Sequence, residues 1–285
     1  MEYALEVNHL TKCYQDFKVD DVSIKIPKGT ILGLIGENGA GKSTIINTIL
    51  NIAKKDAGEI KIFNQDAYAC ERIIKEDIAV IFDECHFNPN FKVKVIGKMM
   101  AKIYKNWDQA IYLEYLERFN LPKNKKIKDF SKGMKMKLSF VVAFSHQPKL
   151  LILDEATSGL DPVVRDEILE ILRDFIMDGE HAVLISSHIT SDLDKIADYI
   201  SFIHEGRLIF TKTYEDIQDN YGILRCGKEL FAALDKDDIV AYKKDDFEYR
   251  VLLENRQEFS AVHQDAIIEK ADIEDLMLFY IRGER

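Results

Sequence analysis

Short apolar runs alternate with stretches of helical periodicity along most of this chain. Ile31–Ile35 and Leu150–Leu153 are almost continuously apolar, as expected for strands that are buried on both faces, and Ala182–Ile185 is a third such run. Apolar residues recur at helical spacing from Lys42 onward and over Val163–Met177. Strands that alternate with helices in this way predict a parallel sheet with helical crossovers.

Two further regions add to this predicted sheet. Near the start of the chain, Ala4–Leu10 and Val22–Ile26 have the composition of strands, and Pro27 follows the second of them. Apolar residues also recur at helical spacing over Val93–Leu121, and a further helical stretch follows Ser131. The second region predicts a helical insertion within the α/β core.

The character of the sequence changes after about Thr211. Short strand candidates lie there between acidic turns, and the chain ends in a predicted helix. These elements are Ile223–Cys226, Ile239–Lys243, Phe247–Leu253 and the helix Asp272–Arg282. We interpret this part of the chain as a small accessory domain.

Composition narrows the classes of function. With 285 residues, of which 47% are hydrophobic, the chain can bury a large core, and its formal net charge of −10 disfavours nucleic acid as the main partner. The four cysteines form no Cys-x-x-Cys pair, so a reducing cytosol is the expected environment. No apolar run approaches the roughly 20 residues of a membrane-spanning helix, so the chain is expected neither to span a membrane nor to be secreted.

A glycine-rich segment follows the first buried strand and matches the pattern G-x-x-x-x-G-K-[ST]. Its glycines allow the backbone to curl around an anion, so that N–H groups and the start of the next helix face the phosphates. In this prediction Lys42 supplies positive charge to the β- and γ-phosphates, and Ser43 offers a hydroxyl to Mg²⁺. The segment is Gly36, Glu37, Asn38, Gly39, Ala40, Gly41, Lys42 and Ser43, with Thr44 after it.

Two carboxylates, Asp154 and Glu155, end the strand Leu150–Leu153. They are therefore expected at the carboxyl edge of the sheet, where ligands bind. Asp154 can hold Mg²⁺, and Glu155, if it points to the other side of the strand, can accept a proton from an attacking water. A strand ending in Asp-Glu is by itself more typical of a solvated turn, but the phosphate loop favours the metal and base interpretation.

From about residue 3 to residue 212 the sequence resembles the ATP-binding-cassette ATPases, as the order of its motifs indicates. Upstream of Asp154, the segment Phe130–Met134 is similar to that family's signature. The resemblance implies that Ser131, Lys132, Gly133 and Met134 contact the γ-phosphate held by the loop of another subunit. By itself, Ser131 has the features of a helix N-cap.

Three more segments extend the resemblance. Ser158–Asp161 is similar to the family's D-loop, which implies that Asp161 lies at the seam of a dimer. His188 matches the switch histidine near the γ-phosphate, and Tyr14 matches the aromatic residue that stacks on adenine. A structural histidine and an ordinary half-buried tyrosine are the alternatives that the residues themselves leave open.

The sequence departs from the family's pattern at two places. Asp83 follows the strand Ile78–Phe82 where the family usually has glutamine, and its carboxylate can still contact metal or water. Lys132 and Met134 replace the commoner Gly and Gln of the signature, as they do in exporters of drugs and antimicrobial peptides. The tail Ala271–Leu276 also resembles that of such exporters, although an amphipathic closing helix explains it equally well.

The resemblance implies an α/β fold with a P-loop NTPase (RecA-like) core. Residues 1–212 are expected to form the cassette, with an antiparallel β subdomain and a helical subdomain at about 84–146, and residues 213–285 a small α+β accessory domain. The implied function is that of an ATP-hydrolysing ABC transporter subunit, of the drug or antimicrobial-peptide exporter type, that uses ATP and Mg²⁺. The implied partners are a second cassette, identical or different, and an integral membrane permease at the cytoplasmic face of the cell membrane.

Three other classes of protein compete with this interpretation. Soluble cassette ATPases of translation or DNA repair typically carry two cassettes or a long coiled-coil insertion, and the sequence has neither feature. A nucleotide-gated binding subunit with weak hydrolysis is conceivable because of Asp83, Lys132 and Met134. A GTPase is disfavoured because the sequence contains no Asn-Lys-x-Asp motif.

Overall fold

The computed structural model describes residues 2–244, 248–262 and 266–284, which form three β-sheets with helices around them. No helix in these ranges is both long enough and apolar enough to cross a membrane. The strands, in chain order, are β1 (Tyr3–Cys13), β2 (Lys18–Pro27), β3 (Ile31–Ile35), β4 (Ala57–Ile62), β5 (Gln65–Asp66), β6 (Ile78–Phe82), β7 (Leu150–Asp154), β8 (Ala182–Ser187), β9 (Tyr199–His204), β10 (Arg207–Thr213), β11 (Gly222–Cys226), β12 (Ile239–Lys244), β13 (Tyr249–Leu253) and β14 (Ile268–Lys270). The α-helices are α1 (Lys42–Ile49), α2 (Glu71–Ile74), α3 (Val93–Ile103), α4 (Gln109–Arg118), α5 (Lys132–Ser145), α6 (Pro162–Ile176), α7 (Thr190–Ile196), α8 (Tyr214–Asn220), α9 (Lys228–Ala233), α10 (Arg256–Val262) and α11 (Ile273–Arg282), with short 3₁₀ turns at Ile127–Asp129 and Lys236–Asp238.

The central sheet contains six strands in the order β10-β9-β3-β8-β7-β6. All neighbouring strands are parallel except β9 and β10, which form an antiparallel pair. Ile31 and Ile35 of β3 belong to the hydrophobic core on one face of the sheet, whereas Leu32 and Leu34 belong to the core on the other. This double burial explains why β3 and the residues of β7 before Asp154 are apolar, and the predicted parallel sheet is confirmed.

A four-stranded antiparallel sheet, in the order β2-β1-β4-β5, packs with α1 on one face of the central sheet. Val7 and Leu10 of β1 share their hydrophobic core with Ile45 and Ile46 of α1. Strands β1 and β2 are longer than the sequence predicted and form a hairpin whose turn lies at residues 14–17. The hairpin thereby brings its turn toward the phosphate loop that precedes α1.

The predicted helical insertion consists of α3, α4 and α5. The stretch Val93–Leu121 contains two helices, α3 and α4. The second begins after Asp108, whose side chain caps it by accepting a hydrogen bond from the Ala110 backbone N–H at 2.7 Å. α3 and α4 approach closely where the Tyr112 ring crosses Gly97. A Cβ atom on Gly97 would lie 2.5 Å from that ring, so this crossing requires glycine.

The C-terminal part of the chain contains a βαββαβ unit made of β11, α9, β12, β13, α10 and β14. Its antiparallel sheet has the order β12-β13-β11-β14, which is a ferredoxin-like arrangement. The three strands predicted from the sequence correspond to β11, β12 and β13, although Phe247, the predicted start of the third, lies outside the described residues. β14, α9 and α10 were missed because elements of three to seven residues carry little periodicity.

The last helix, α11, joins this unit to the central sheet. Phe279 packs between the βαββαβ sheet and the main core, with the Lys243 amine 4.7 Å from its ring centroid. On the other side, the Tyr280 ring contacts Phe202 of β9 and Phe210 of β10. Asp272 caps α11 in a capping box with Asp275, so the predicted helix is confirmed with its start one residue later. The hydrophobic core is continuous across this junction, and the predicted domain boundary at residue 212 stays a prediction.

Candidate nucleotide-binding site

The glycine-rich segment forms the turn between β3 and α1. Gly39 and Gly41 have φ angles of +83° and +113°, a region of backbone conformation that residues with a Cβ rarely adopt. A Cβ atom on Gly41, the residue before α1, would also lie 3.0 Å from the Phe17 ring. The glycine pattern is therefore a backbone requirement of this turn, which is the form a phosphate-binding loop takes.

Lys42, the first residue of α1, is only 5% exposed, and its amine lies inside the loop. Nζ donates hydrogen bonds to the carbonyl oxygens of Gly36, at 2.8 Å, and Glu37, at 3.3 Å. The same nitrogen lies 3.4 Å from Oε1 of Glu155. The loop thus holds a buried positive charge at its centre, with a carboxylate facing it.

Ser43 and Asp154 meet where the end of β7 approaches the start of α1. The Ser43 hydroxyl donates to Asp154 Oδ1 at 3.2 Å, and the Ser186 hydroxyl of β8 donates to the same oxygen at 2.6 Å. A hydroxyl beside a carboxylate is a donor set that suits Mg²⁺, which prefers oxygen ligands and takes most of its remaining ones from phosphates and water. Ser43 and Asp154 therefore fit a magnesium site completed by a bound nucleotide.

Glu155 follows β7 in a left-handed turn, with a φ angle of +53°. From the sequence, Glu155 is expected to point away from Asp154 because side chains alternate along a strand. That reason is wrong, because the strand ends at Asp154 and Glu155 lies beyond it. Its backbone N–H is held by the carbonyl and hydroxyl oxygens of Ser186, both at 3.2 Å. His188 Nδ1 lies 2.5 Å from Glu155 Oε2, so the structure brings these two predicted residues together.

A cavity of about 490 Å³ opens beside the loop, within the size range of small-molecule sites. It is lined by Phe17, Asn38, Gly39, Gly41, Lys42, Ser43, Thr44 and Glu155. Ala40 is buried behind the loop. Most of the predicted phosphate-loop residues thus surround one cavity, with the predicted base at its edge.

The aromatic residue at this cavity is Phe17, which the sequence analysis missed. Tyr14, the predicted adenine contact, lies on the same hairpin turn but is 51% exposed, and its backbone N–H donates to the Phe17 carbonyl at 2.8 Å. An aromatic residue in the turn before β2 is a sequence signal that would have found Phe17 as well as Tyr14.

The predicted signature residues lie elsewhere in the chain. Ser131 caps α5 by accepting a hydrogen bond from the Met134 N–H at 3.2 Å, so the N-cap expectation for this residue is met. The start of α5 adjoins the segment 158–161: a Cβ atom on Gly159 would lie 2.8 Å from Lys132 Nζ, and one on Gly133 would lie 4.0 Å from Asp161. None of Ser131–Met134 lines the cavity at the phosphate loop of the same chain.

Asp83 follows Phe82, which pairs with Asp154 across β6 and β7, but it does not line the cavity at the phosphate loop. Together with Glu84 and Cys85 it lines a different cavity, of about 350 Å³, whose opposite wall carries Lys132, Lys135 and Met136. Asp83 and the start of α5 thus line one cavity, whereas Ser43 lines the cavity at the phosphate loop. The metal contact of Asp83 stays a prediction.

Taken together, a buried lysine in a glycine loop between a parallel strand and a helix, with carboxylates at the end of a neighbouring strand, defines a P-loop nucleoside triphosphatase. Comparison with known proteins narrows this class. The sequence matches the ABC transporter family over residues 19–158. The chain belongs to the ATP-binding subunits of ABC transporters, a family of ATPases.

Several relatives support this assignment. The lantibiotic transport ATP-binding protein SrtF of Streptococcus pyogenes is 36% identical over 74% of this chain and 91% of its own length. The bacitracin transport ATP-binding protein BcrA of Enterococcus faecalis is 34% identical over 73% of this chain and 69% of its own. A solved structure of an ATP-binding subunit of an ABC transporter superposes with a TM-score of 0.69 at 29% identity, covering 75% of this chain and 92% of that one. These matches confirm the fold class and the family inferred from the sequence.

Proposed function

We propose that this chain hydrolyses MgATP as one of two cassettes that drive a membrane exporter. The observation that carries the proposal is the convergence of three side chains at the phosphate loop. Lys42 Nζ and His188 Nδ1 lie 3.4 Å and 2.5 Å from the two oxygens of the Glu155 carboxylate. A phosphate-binding cation, a base and a residue that orients the base are thus within reach of one reacting centre.

Each residue has a distinct role in the proposed hydrolysis. The loop amides and Lys42 bind the β- and γ-phosphates, and Ser43 and Asp154 would hold Mg²⁺, which supplies charge neutralisation at the phosphate oxygens. Glu155 takes the proton of a water molecule as its oxygen bonds to the γ-phosphorus and the bond to ADP breaks. His188 donates to Glu155 Oε2 and so leaves Oε1 to accept that proton.

A head-to-tail pair of cassettes is the proposed active assembly. Within one chain, Ser131–Met134 do not line the phosphate-loop cavity, so the anion clamp of Ser131 and Gly133 has no γ-phosphate to contact there. A second cassette, identical or different, supplies that clamp in the proposed assembly, and Asp161 lies at the seam. The phosphate loop of each chain then pairs with the signature of the other.

The names of relatives support a role in export. Two of them are named for transport of bacitracin and of a lantibiotic, and the Nod factor export ATP-binding protein I of Sinorhizobium fredii is 32% identical over 73% of this chain. We accordingly place the chain at the cytoplasmic face of the membrane, bound to a permease. Residues 1–212 act as the cassette, with the helical subdomain at about 84–146, and residues 213–285 as the accessory domain.

A purified preparation of the chain tests this function directly. Phosphate release from ATP is measured with and without Mg²⁺ and with and without the proposed membrane subunit. We expect Mg²⁺-dependent release that the membrane subunit stimulates. Absence of Mg²⁺-dependent release under both conditions would contradict the proposal.

The two aromatic residues of the hairpin turn are expected to differ in what they bind. Tyr14→Ala should weaken ATP binding by about 5- to 100-fold, because stacking on a base contributes about 1–3 kcal/mol, and should leave binding of inorganic triphosphate unchanged. Phe17→Ala should weaken binding of both ligands, because Phe17 packs against the loop at Gly41. Titration calorimetry with ATP and with inorganic triphosphate measures both effects. Equal losses for both ligands in Tyr14→Ala would contradict the base-stacking role.

An apolar cleft supports the proposed contact with a permease. The cleft, of about 380 Å³, runs between the central sheet and the helical insertion, and its lining includes Ile52, Ile103 and Tyr104. Ile52 and Ile103 are more than half exposed, which is unusual for large aliphatic side chains that lie together. A short amphipathic helix of a membrane protein has the apolar face that would cover them.

Ile103→Glu is expected to abolish stimulation of ATP hydrolysis by the membrane subunit while ATP affinity stays within about twofold, because it puts a charge into an apolar contact. The matched control is Leu113→Glu, on the next helix of the insertion. Leu113 is 40% exposed and does not line the cleft. Phosphate release with and without the membrane subunit measures both variants. A loss of stimulation of the same size in the control would count against the cleft as the contact.

A further inference from the structure

A pair of opposite charges is buried between α6 and α7, close to the proposed catalytic residues. Asp192 of α7 is 3% exposed, and its Oδ2 lies 3.8 Å from Nε of Arg165 in α6. Both atoms are buried and, among the residues that the structure describes, neither has a hydrogen-bond partner. The two atoms thus face each other but remain beyond hydrogen-bond distance.

This pair connects the two segments that carry Glu155 and His188. On one side lies Thr157, two residues after Glu155, whose side chain partly offsets the rise that burial causes in the pKa of the Asp192 carboxyl. Arg165 Nη2 also donates to the Leu160 carbonyl at 3.2 Å, within the segment 158–161. On the other side, Asp192 belongs to the helix that starts two residues after His188. A displacement of the segment 158–161 would therefore be transmitted to α7 through Arg165 and Asp192.

Two atoms of this pair are left unsatisfied. Buried polar atoms that lack a hydrogen-bond partner are unfavourable, and removal from water raises the pKa of the Asp192 carboxyl above its ordinary value. An approach of about 1 Å would bring Nε and Oδ2 to the usual hydrogen-bond distance of about 2.8 Å and satisfy both groups. A small displacement of the segment 158–161 therefore changes the electrostatic interaction between Arg165 and Asp192 of α7 strongly.

We propose that Arg165 and Asp192 are positioning residues that close into a hydrogen-bonded ion pair when a partner cassette presses on the segment 158–161. Closure fixes α7 and the end of β7, and with them His188 and Glu155, in the geometry for hydrolysis. The inference rests on the proposed function, because the partner cassette supplies the displacement. In this proposal Arg165 and Asp192 control the rate of turnover and do not affect nucleotide binding.

Packing between the two helices does not by itself require this pair. An exposed ion pair, Asp166 with Lys195 at 2.8 Å, already joins α6 to α7, and the Arg173 guanidinium donates to the Lys195 carbonyl. A residue that only held the helices together would share its role with these contacts. The exposed pair therefore provides a matched control between the same helices.

The test compares Asp192→Asn and Arg165→Lys with the control Asp166→Asn, in the full chain with its membrane subunit. Lysine keeps the charge but lacks the planar guanidinium, whose separate nitrogens Nη2 and Nε face Leu160 and Asp192 in a fixed geometry. We expect kcat for ATP hydrolysis to fall about tenfold or more in both variants while KM and the Kd of a fluorescent ATP analogue stay within about twofold. The control should keep kcat within about twofold. The kcat of the double variant should be no lower than that of the slower single variant, because both substitutions remove the same contact.

Nucleotide affinity and thermal unfolding show which variants are folded, and Arg165→Lys decides the outcome if Asp192→Asn does not fold. An unchanged kcat in a folded variant would overturn the inference, as would a fall in kcat that the control shares or that accompanies an equal loss of affinity. A wild-type chain without Mg²⁺-dependent hydrolysis would contradict the proposed function instead, so the two failures are distinguishable.

Discussion

Glu155→Gln is expected to lower ATP turnover by about 10²- to 10⁴-fold, the usual contribution of a general base, while ATP stays bound. The substitution keeps the size of the side chain and can still contact His188, but it removes the oxygen that accepts the proton of the attacking water. Lys42 and the loop amides, which hold the phosphates, are untouched. Chemistry is therefore blocked after binding, and the variant should accumulate as a closed dimer with ATP between its subunits.

Two measurements check this expectation. Phosphate release gives the turnover, and size-exclusion chromatography with light scattering, with and without MgATP, shows whether the dimer accumulates. Glu180→Gln is a suitable control, because it makes the same chemical change in an exposed ion pair with Lys28, far along the chain from the loop. Turnover of Glu155→Gln within a fewfold of the wild type would refute its assignment as the base.

Lys42→Ala is expected to weaken ATP binding by about 10- to 100-fold, because a hydrogen bond to a charged group contributes about 1.5–3 kcal/mol. The ammonium group is buried and held by two loop carbonyls, so no neighbouring side chain can take over its position. Its removal also leaves the Glu155 carboxylate facing the phosphates without the cation that now lies 3.4 Å away. Repulsion between like charges should add to the loss.

Equilibrium binding of a fluorescent ATP analogue measures this effect, with Lys28→Ala as the control for loss of a surface charge. Unlike Glu155→Gln, this variant should form no ATP-dependent dimer, because it fails at binding and not at the chemical step. An affinity equal to that of the wild type would show that Lys42 does not contact the phosphates. Together the two variants separate nucleotide binding from hydrolysis.

The sequence was sufficient for the phosphate loop and the order of the central elements. A run of apolar residues buried on both faces, followed by Gly36–Ser43, specifies a strand, a turn and a helix through short-range steric rules that need no knowledge of the rest of the fold. The strand that precedes Asp154 could be predicted for the same reason. The family resemblance added the signature and the switch histidine, which local patterns by themselves do not identify.

Other features became visible only in the tertiary structure. The contact between Glu155 and His188 joins residues 33 positions apart, and the approach of Arg165 to Asp192 depends on how two helices pack. The positions of Phe17 at the phosphate-loop cavity and of Asp83 in the cavity beside the start of α5 likewise follow from the course of a hairpin turn and of a loop.

The sequence by itself therefore determined the phosphate loop, the buried strands and the family, because short segments of consecutive residues specify these features. The tertiary structure alone decided which side chains face each other across the site and how the C-terminal strands pair. Such contacts depend on helix packing, turn geometry and strand register, which arise from many small interactions between distant residues and leave no periodic signal in the sequence.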